Sequence, residues 1–156
     1  MFPQAVPSPD FEVLEFEVLE EGWNEYELQN HTRVRGRVIV NRFVHDRNIP
    51  NPNAIHMSSQ NIFVVDAPPE QRGAPSPLTP EEIANPNGVP VQVLTNNEKW
   101  NKYRIIKSGL IVKVKLVLHE AYRVSDRFDS DGMPAYVFTS GPLLIPDKMK
   151  NPNFKQ

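Results

Sequence analysis

The chain of 156 residues has no cysteine, only seven glycines and no long apolar run. Without cysteine, the chain has no disulfide and no cysteine nucleophile, and it lacks the cysteine ligands of zinc ribbons and iron–sulfur clusters. The few glycines include no phosphate-cradling loop, so we expect no nucleotide cofactor. No stretch approaches the roughly 20 apolar residues of a membrane helix. The first residues also lack the basic and apolar regions of a signal peptide, and we expect a cytoplasmic protein or a component of an assembled particle.

Charge is nearly balanced over the whole chain, with a formal net charge of −2, but it is unevenly distributed. Residues 1–78 hold 6 basic and 11 acidic residues, whereas residues 79–156 hold 11 basic and 8 acidic residues. Proteins that bind duplex nucleic acid usually carry a basic excess, so the overall balance argues against that role. Head-to-tail contact between copies would account for the asymmetry between the halves, and ordinary drift of surface charge explains it equally well.

The two tryptophans begin the same phrase, Trp23-Asn24-Glu25-Tyr26 and Trp100-Asn101-Lys102-Tyr103. A short apolar segment precedes each phrase, and a long alternating stretch follows it. This repetition predicts two copies of one β module joined by a connector that is rich in proline. The predicted organisation is an N-terminal arm (1–10), a first module (11–67), a connector (68–89), a second module (90–147) and a C-terminal arm (148–156).

Alternation with a period of two predicts a strand in each long stretch. The residues that we expect to face inward are Val34, Gly36, Val38 and Val40 in the first stretch and Leu110, Val112, Val114, Leu116 and Leu118 in the second. Gly36 inside a strand indicates a bend or a close backbone approach. Pairing the leading strand with the first long strand would place Glu15 and Glu17 opposite the arginines, with a bend near Val13.

The segment 67–90, which contains the connector, holds seven prolines and room for one helical turn. Thr79 suits an N-cap, Pro80 suits the first helical position, and Glu82 completes a capping box. No other helix is expected. The predicted fold class is all-β, with two tandem, internally repeated, small antiparallel β modules that are barrel-like or sandwich-like.

No set of residues in the sequence has the pattern of a catalytic or metal site, so we expect no enzyme activity, cofactor or metal. The histidines at positions 31, 45, 56 and 119 lack the spacing of a zinc site. Ser59 and Ser140 occupy matching positions, but neither has a recognisable base or elbow motif. Asp126–Gly132 fails the EF-hand pattern and predicts a turn.

Protein contact is therefore the leading functional hypothesis. The chain is expected to be a non-catalytic structural or assembly subunit of a larger complex or particle, binding other protein chains through β edges, loops and arms. The candidate interface residues are Trp23, Tyr26, Trp100, Tyr103, Phe2 and Phe154. For the two tryptophans and two tyrosines, the simplest interpretation is a core position. The interface is the functional alternative, because tryptophan and tyrosine dominate interface hot spots.

Two other binding functions stay open. Arg33, Arg35, Arg37 and Arg42 form the best basic stripe, near Trp23, and a small β-barrel with such a stripe can bind single-stranded nucleic acid. Neutralisation of the stripe by the glutamate-rich leading strand is the competing interpretation. The second alternative is a small-ligand or carbohydrate-binding β module that uses the two tryptophan rings.

Overall fold

The computed structural model describes residues 10–85 and 87–147, and most of these residues lie in strands. The predicted all-β class is confirmed. The strands are β1 (Phe11–Leu14), β2 (Phe16–Glu20), β3 (Asn24–Leu28), β4 (Thr32–Asp46), β5 (Ile55–Asp66), β6 (Val89–Val91), β7 (Val93–Asn97), β8 (Asn101–Ile105), β9 (Ile111–Phe128) and β10 (Pro134–Pro146).

The strands form two antiparallel sheets with matching arrangements. In the first sheet, β5 runs along one side of the long strand β4, while β3 and β1 pair with its two ends on the other side, and β7 follows β3. In the second sheet, β10, β9, β8, β6 and β2 take the corresponding places. Neither sheet closes on itself within the described residues, so the barrel-like form of the prediction is not found.

The leading strands cross from one sheet to the other. β1 belongs to the first sheet and β2 to the second, and the chain changes sheet at Glu15, whose carbonyl accepts from the Ile106 amide at 3.0 Å. In the same way β6 belongs to the second sheet and β7 to the first, with the change at Gln92, whose carbonyl accepts from the Gln29 amide at 3.0 Å. Each sheet thus contains strands from both predicted modules. The internal repeat and its boundaries stay a prediction.

The expected bend near Val13 is found two residues later, at Glu15, and it has a different consequence. Because β2 joins the second sheet, Glu17 lies opposite Arg104 of β8 and forms an ion pair with it. The expectation that Glu15 and Glu17 lie opposite the arginines of the first long strand is therefore wrong. A local alternation pattern does not specify which of two sheets receives the strand.

The inward faces of the two sheets pack on each other to form the core. One buried cluster joins Leu14, Val38 and Phe43 of the first sheet to Tyr103 and Leu116 of the second. The positions predicted to face inward are buried at Val34, Val38, Val112, Val114, Leu116 and Leu118. Full burial of such a side chain contributes about 1.5–3 kcal/mol, so this shared face supplies the main stabilisation of the fold.

Gly36 lies at a tightly packed position of β4, against one side chain of its own sheet and one of the other sheet. A Cβ atom at this position would lie 2.9 Å from Phe63 Cε1 and 3.0 Å from Leu116 Cδ2. The long strands also share an irregularity: Asn41 in β4 and His119 in β9 each interrupt the pairing register with the neighbouring strand. These bulges let each long strand change the phase of its buried face along its length.

The connector carries the predicted short helix α1 (Pro80–Ala84), and both hydrogen bonds of the capping box are present. Thr79 Oγ1 accepts from the Glu82 amide at 3.2 Å, and Glu82 Oε1 accepts from the Thr79 amide at 2.9 Å. Two short 3-10 turns lie at Gln29–His31 and Pro69–Gln71. No helix within the described part of the chain has the length and apolar character needed to cross a membrane.

Candidate interaction surfaces

The tryptophans of the repeated phrase lie on the outer faces of the two sheets, each beneath a pair of cations. The guanidinium carbons of Arg35 and Arg37 lie 4.8 and 5.5 Å from the centroid of the Trp23 ring. The ammonium groups of Lys113 and Lys115 lie 4.9 and 4.7 Å from the centroid of the Trp100 ring. Both indoles are half-buried. They therefore hold cationic side chains on the surface through cation–π contact.

That placement differs from the core position that is the simplest interpretation of the tryptophans in the sequence. Trp23 and Trp100 precede β3 and β8 by one residue, and the strand alternation then turns the following asparagine inward. A carbohydrate-binding site would need a freely accessible face of a tryptophan ring. The rings of Trp23 and Trp100 each lie under two long cationic side chains.

The tyrosines of the phrase, in contrast, lie in the core. Tyr26 and Tyr103 are 3% and 0% exposed, so they are not available for partner contact in this chain. The Tyr103 hydroxyl donates to Glu21 Oε2 at 2.7 Å, and the Tyr26 hydroxyl donates to Glu98 Oε2 at 2.8 Å. Each tyrosine thus binds a glutamate that belongs to the other copy of the predicted repeat.

The buried asparagines of the phrase complete these connections. Asn24 donates to the Leu116 carbonyl at 2.9 Å and to the Tyr26 hydroxyl at 3.0 Å, while its Oδ1 accepts from the Lys99 amide at 2.9 Å. Asn101 Oδ1 accepts from the Gly22 amide at 3.1 Å. A buried polar group is costly unless it is hydrogen-bonded, so these asparagines fix how the two halves meet.

Sequence reasoning missed the two glutamates. Glu21 and Glu98 stand two residues before the tryptophans, at the same position of each repeat. Extending the repeated phrase to Glu-x-Trp-Asn-x-Tyr would have identified both. Glu21 also forms an ion pair with Arg37 at 2.8 Å, and Glu98 accepts from the Leu118 amide at 2.8 Å.

Burial and these acceptors change the acidity of the tyrosines. Burial is the larger cause that raises the pKa of Tyr26, and the hydrogen bond to Glu98 raises it further. The pKa of Tyr103 is raised in the same way, first by burial and then by Glu21. Both hydroxyls therefore remain donors over the whole physiological pH range.

The arginine stripe of the first sheet faces acidic neighbours on the same surface. In the pairing of β3 with β4, Glu27 lies directly opposite Arg33 and Glu25 lies directly opposite Arg35. Asp66 of β5 lies on the other side of Arg33. Cross-strand pairs of opposite charge contribute roughly 0.2–1 kcal/mol each and reduce the net charge of the face. Arg42, the fourth residue of the stripe, is exposed beyond the bulge at Asn41.

The corresponding face of the second sheet is more basic. Lys102 of β8 lies directly opposite Lys113 of β9, a like-charge pair that is destabilising in a sheet. Among the described residues, no carboxylate lies within ion-pair distance of Lys113 or Lys115. Glu20 of β2 lies opposite Lys102 on the other side of β8. Lys113 and Lys115, over the Trp100 ring, are therefore the cations of this face that stay uncompensated among the described residues.

One end of each sheet is formed by one of the exchanged strands. In the part of the chain that the structure describes, β2 pairs only with β8 and β7 pairs only with β3, which leaves an open backbone edge on each. On β2 the side chains of Val18 and Leu19 are 52% and 40% exposed. Val18 lies opposite Tyr103, and the residue at the corresponding position of the first sheet, opposite Tyr26, is the polar Asn96. β2 is therefore the more apolar of the two edges.

The remaining candidates carry no assembled site. Asp129 caps its own turn, with Oδ1 accepting from the amides of Asp131 and Met133, as the turn prediction requires. Within residues 10–85 and 87–147, no three histidine, aspartate or glutamate side chains are grouped as metal ligands. Ser140 accepts a hydrogen bond from Asn61 at 3.1 Å. Phe2, Phe154 and the arms, apart from Asp10, lie outside the described residues.

Comparison of the chain with protein-family models, with curated proteins and with solved structures yields no match.

Proposed function

We propose that the chain is a non-catalytic structural or assembly subunit whose copies join head to tail by strand addition. The observation that carries this proposal is the open edge of β2, where Val18 and Leu19 expose apolar surface beside unpaired backbone groups. Exposed edges of this kind are templates for pairing with another chain, and natural monomers usually shield them.

Charge selects β7 of a second copy as the partner of β2. Pairing two copies of β2 would bring the glutamates of both strands, Glu17 and Glu20, close together. β7 carries no charged residue and offers Leu94, which is 49% exposed, to the apolar part of β2. Because β2 ends the second sheet and β7 ends the first, this contact is heterologous and forms rings or open chains rather than a closed dimer.

Light scattering coupled to size-exclusion chromatography, over a wide concentration range, tests the proposal. The wild-type chain is expected to form oligomers whose mass rises with concentration beyond that of a dimer. Val18→Lys should shift the distribution toward monomer, because lysine protects sheet edges. Asn96→Glu should do the same by repelling Glu17 and Glu20, and it would leave a dimer made by two β2 edges unaffected.

Ile83→Lys is the matched control, because Ile83 is an equally exposed apolar residue, 54% exposed, on the connector helix. This variant should assemble like the wild type. A wild-type chain that stays monomeric at every concentration would overturn the proposal of self-assembly. The arms 1–10 and 148–156 remain further proposed contacts.

A second candidate, binding of single-stranded nucleic acid, is favoured by the cationic face of the second sheet. Lys113 and Lys115 lie over the Trp100 ring, and Lys102 lies opposite Lys113 on the neighbouring strand. A groove of cations with aromatic residues is the usual surface for single strands. Fluorescence anisotropy with an oligonucleotide at low salt tests it. Exchange of both Lys113 and Lys115 for glutamine should abolish binding, whereas the same exchange at Arg33 and Arg35 should have little effect. Absence of binding at low salt would eliminate this candidate.

A further inference from the structure

The hairpin formed by β9 and β10 contains a large bulge that frees several backbone carbonyls. Phe128 pairs with Pro134 and Arg123 pairs with Tyr136, so four residues of β9 face only Ala135 of β10. Within this bulge Asp126 has a φ of 60°, in the left-handed region that residues other than glycine rarely adopt. The carbonyls released here need donors, because unpaired buried carbonyls are costly.

One nitrogen of the Arg123 side chain lies among these carbonyls. Nη1 has two N–H donors, which are shared among the carbonyls of Val124, of Arg127 at 3.0 Å and of Ala135 at 3.3 Å. The guanidinium carbon also lies 5.3 Å from the Phe128 ring centroid and 5.9 Å from that of Tyr136. The plane of the guanidinium is therefore held in place by three carbonyls and two aromatic rings.

The other edge of this guanidinium has no partner within residues 10–85 and 87–147. Among the described residues, Nε and Nη2 of Arg123 form no hydrogen bond or ion pair. Arg123 also lines an open pocket of about 340 Å³. The pocket lies where the 3-10 turn Gln29–His31 meets the hairpin of β9 and β10. The pocket is lined by Asn30, Gln71, Val91, Arg123, Pro134 and Tyr136, of which only Arg123 is charged.

The remaining lining residues add donors and apolar walls. Gln71 donates to the Asn30 carbonyl at 2.6 Å and accepts from Thr32 at 2.9 Å, so it fixes the turn that forms one wall. The Tyr136 hydroxyl forms no hydrogen bond to another described residue. Val91 and Pro134 provide apolar surface. No carboxylate lines the pocket to compensate the guanidinium.

From these contacts we infer that the pocket is a binding site for a small anion, held by the free Nε–Nη2 edge of Arg123 with help from the Tyr136 hydroxyl. A guanidinium edge donates two parallel hydrogen bonds to a carboxylate or a phosphate, and it does so most strongly when its orientation is fixed beforehand. The volume and the apolar walls fit a carboxylate or phosphate group attached to a small organic body.

Nuclear magnetic resonance of the full-length, 15N-labelled chain tests the inference, with inorganic phosphate and benzoate as separate probes. The Arg123 Nε–H signal is expected to move to saturation with at least one probe. Saturation by phosphate alone assigns a phosphate ligand, whereas saturation by benzoate assigns a carboxylate. The Lys113→Gln variant should bind unchanged, because its missing charge lies outside the pocket.

Arg123→Lys keeps the charge but loses the forked edge, and it is expected to weaken binding about tenfold. Arg123 also supports the bulge, so Tyr136→Phe serves as the second variant; it keeps every contact of Arg123 and should weaken binding about three- to tenfold. Failure of both probes to move the Arg123 signal would overturn the inference. Equal affinity in the wild type and in Tyr136→Phe would overturn the role of the hydroxyl.

Discussion

The hydroxyl of Tyr103 donates to Glu21 Oε2 at 2.7 Å, across 82 positions of sequence. The Tyr26–Glu98 contact repeats this geometry in the opposite direction, at 2.8 Å. The two contacts join the predicted halves at equivalent points, and both depend on the exchange of leading strands between the sheets. Coupling between the halves is therefore built into the phrase that the sequence repeats.

A double-mutant cycle measures this coupling. Tyr103→Phe and Glu21→Gln should each destabilise the chain, and their interaction energy should be about 1–2 kcal/mol, because hydrogen bonds to charged groups are stronger than neutral ones but Glu21 is partly solvated. Urea unfolding gives the free energies. Tyr136→Phe is the control and should change stability by less than about 0.5 kcal/mol, since its hydroxyl has no partner among the described residues. An interaction energy near zero would contradict the coupling.

Alkaline pH should unfold the chain through the same tyrosines. The folded state raises the pKa of Tyr26 and Tyr103, whereas in the unfolded chain both ionise near pH 10. Above that pH the unfolded state binds fewer protons than the folded state, so the free energy of unfolding falls as pH rises. Absorbance of tyrosinate, followed with circular dichroism, should show these two groups ionising only as the fold is lost. Replacement of both by phenylalanine should remove this component of the pH dependence, and early ionisation of Tyr26 or Tyr103 in the folded chain would contradict the prediction.

Local pattern was sufficient to predict the long strands and the capped helix. The alternation of apolar residues predicts which face of each long strand is buried, as found at Val38 and Val114. The capping box of α1 needs only Thr79 and Glu82, which lie within four residues of each other. Gly36 could be singled out as a position with a special requirement, because a glycine inside a strand indicates a bend or a close approach, but the sequence does not show that side chains of both sheets crowd it. All of these features are determined within a few residues of sequence.

Contacts between distant segments could not be predicted in this way. The change of sheet at Glu15 depends on the free edge of β8 in the other sheet, and this is a property of the whole fold. The outward position of Trp23 depends on the inward position of Asn24, whose partners lie 75 and 92 residues away. The Arg123 pocket depends on a bulge of β9 against β10, which alternation does not indicate.

Gly36 tests how tightly the side chains of both sheets pack against β4. Gly36→Ala should cost about 1–3 kcal/mol, because the added Cβ would lie within 3.0 Å of the Phe63 ring and of Leu116. Thermal or urea unfolding gives the value. Gly22→Ala is the matched control, since a Cβ there has no neighbour within 4 Å. Equal stability of the two variants would show that Phe63 and Leu116 leave room for a methyl group at Gly36, which would contradict the prediction.

The connector should loosen when Arg127 is removed. Its Nε donates to the Ser76 carbonyl at 2.9 Å, its Nη2 donates to the Pro77 carbonyl at 2.6 Å, and its Nη1 pairs with Glu82. Arg127→Ala should therefore raise hydrogen exchange at the Ile83 amide about tenfold or more, which corresponds to about 1.4 kcal/mol of local opening free energy. Cleavage by trypsin in the connector should rise in parallel.

Arg104→Ala provides the control for this prediction, because Arg104 is also an arginine in an ion pair, with Glu17, but it lies on β8 and makes no hydrogen bond to the connector. Exchange at the Ile83 amide, which donates to the Thr79 carbonyl at 3.0 Å, should be unchanged in this variant. If the Ile83 amide is as protected in Arg127→Ala as in the wild type, the prediction is wrong. The capping box of α1 then holds the helix without the contacts of Arg127. Global unfolding of Arg127→Ala would instead show as a uniform rise in exchange across β4 and β9, which distinguishes it from local loosening.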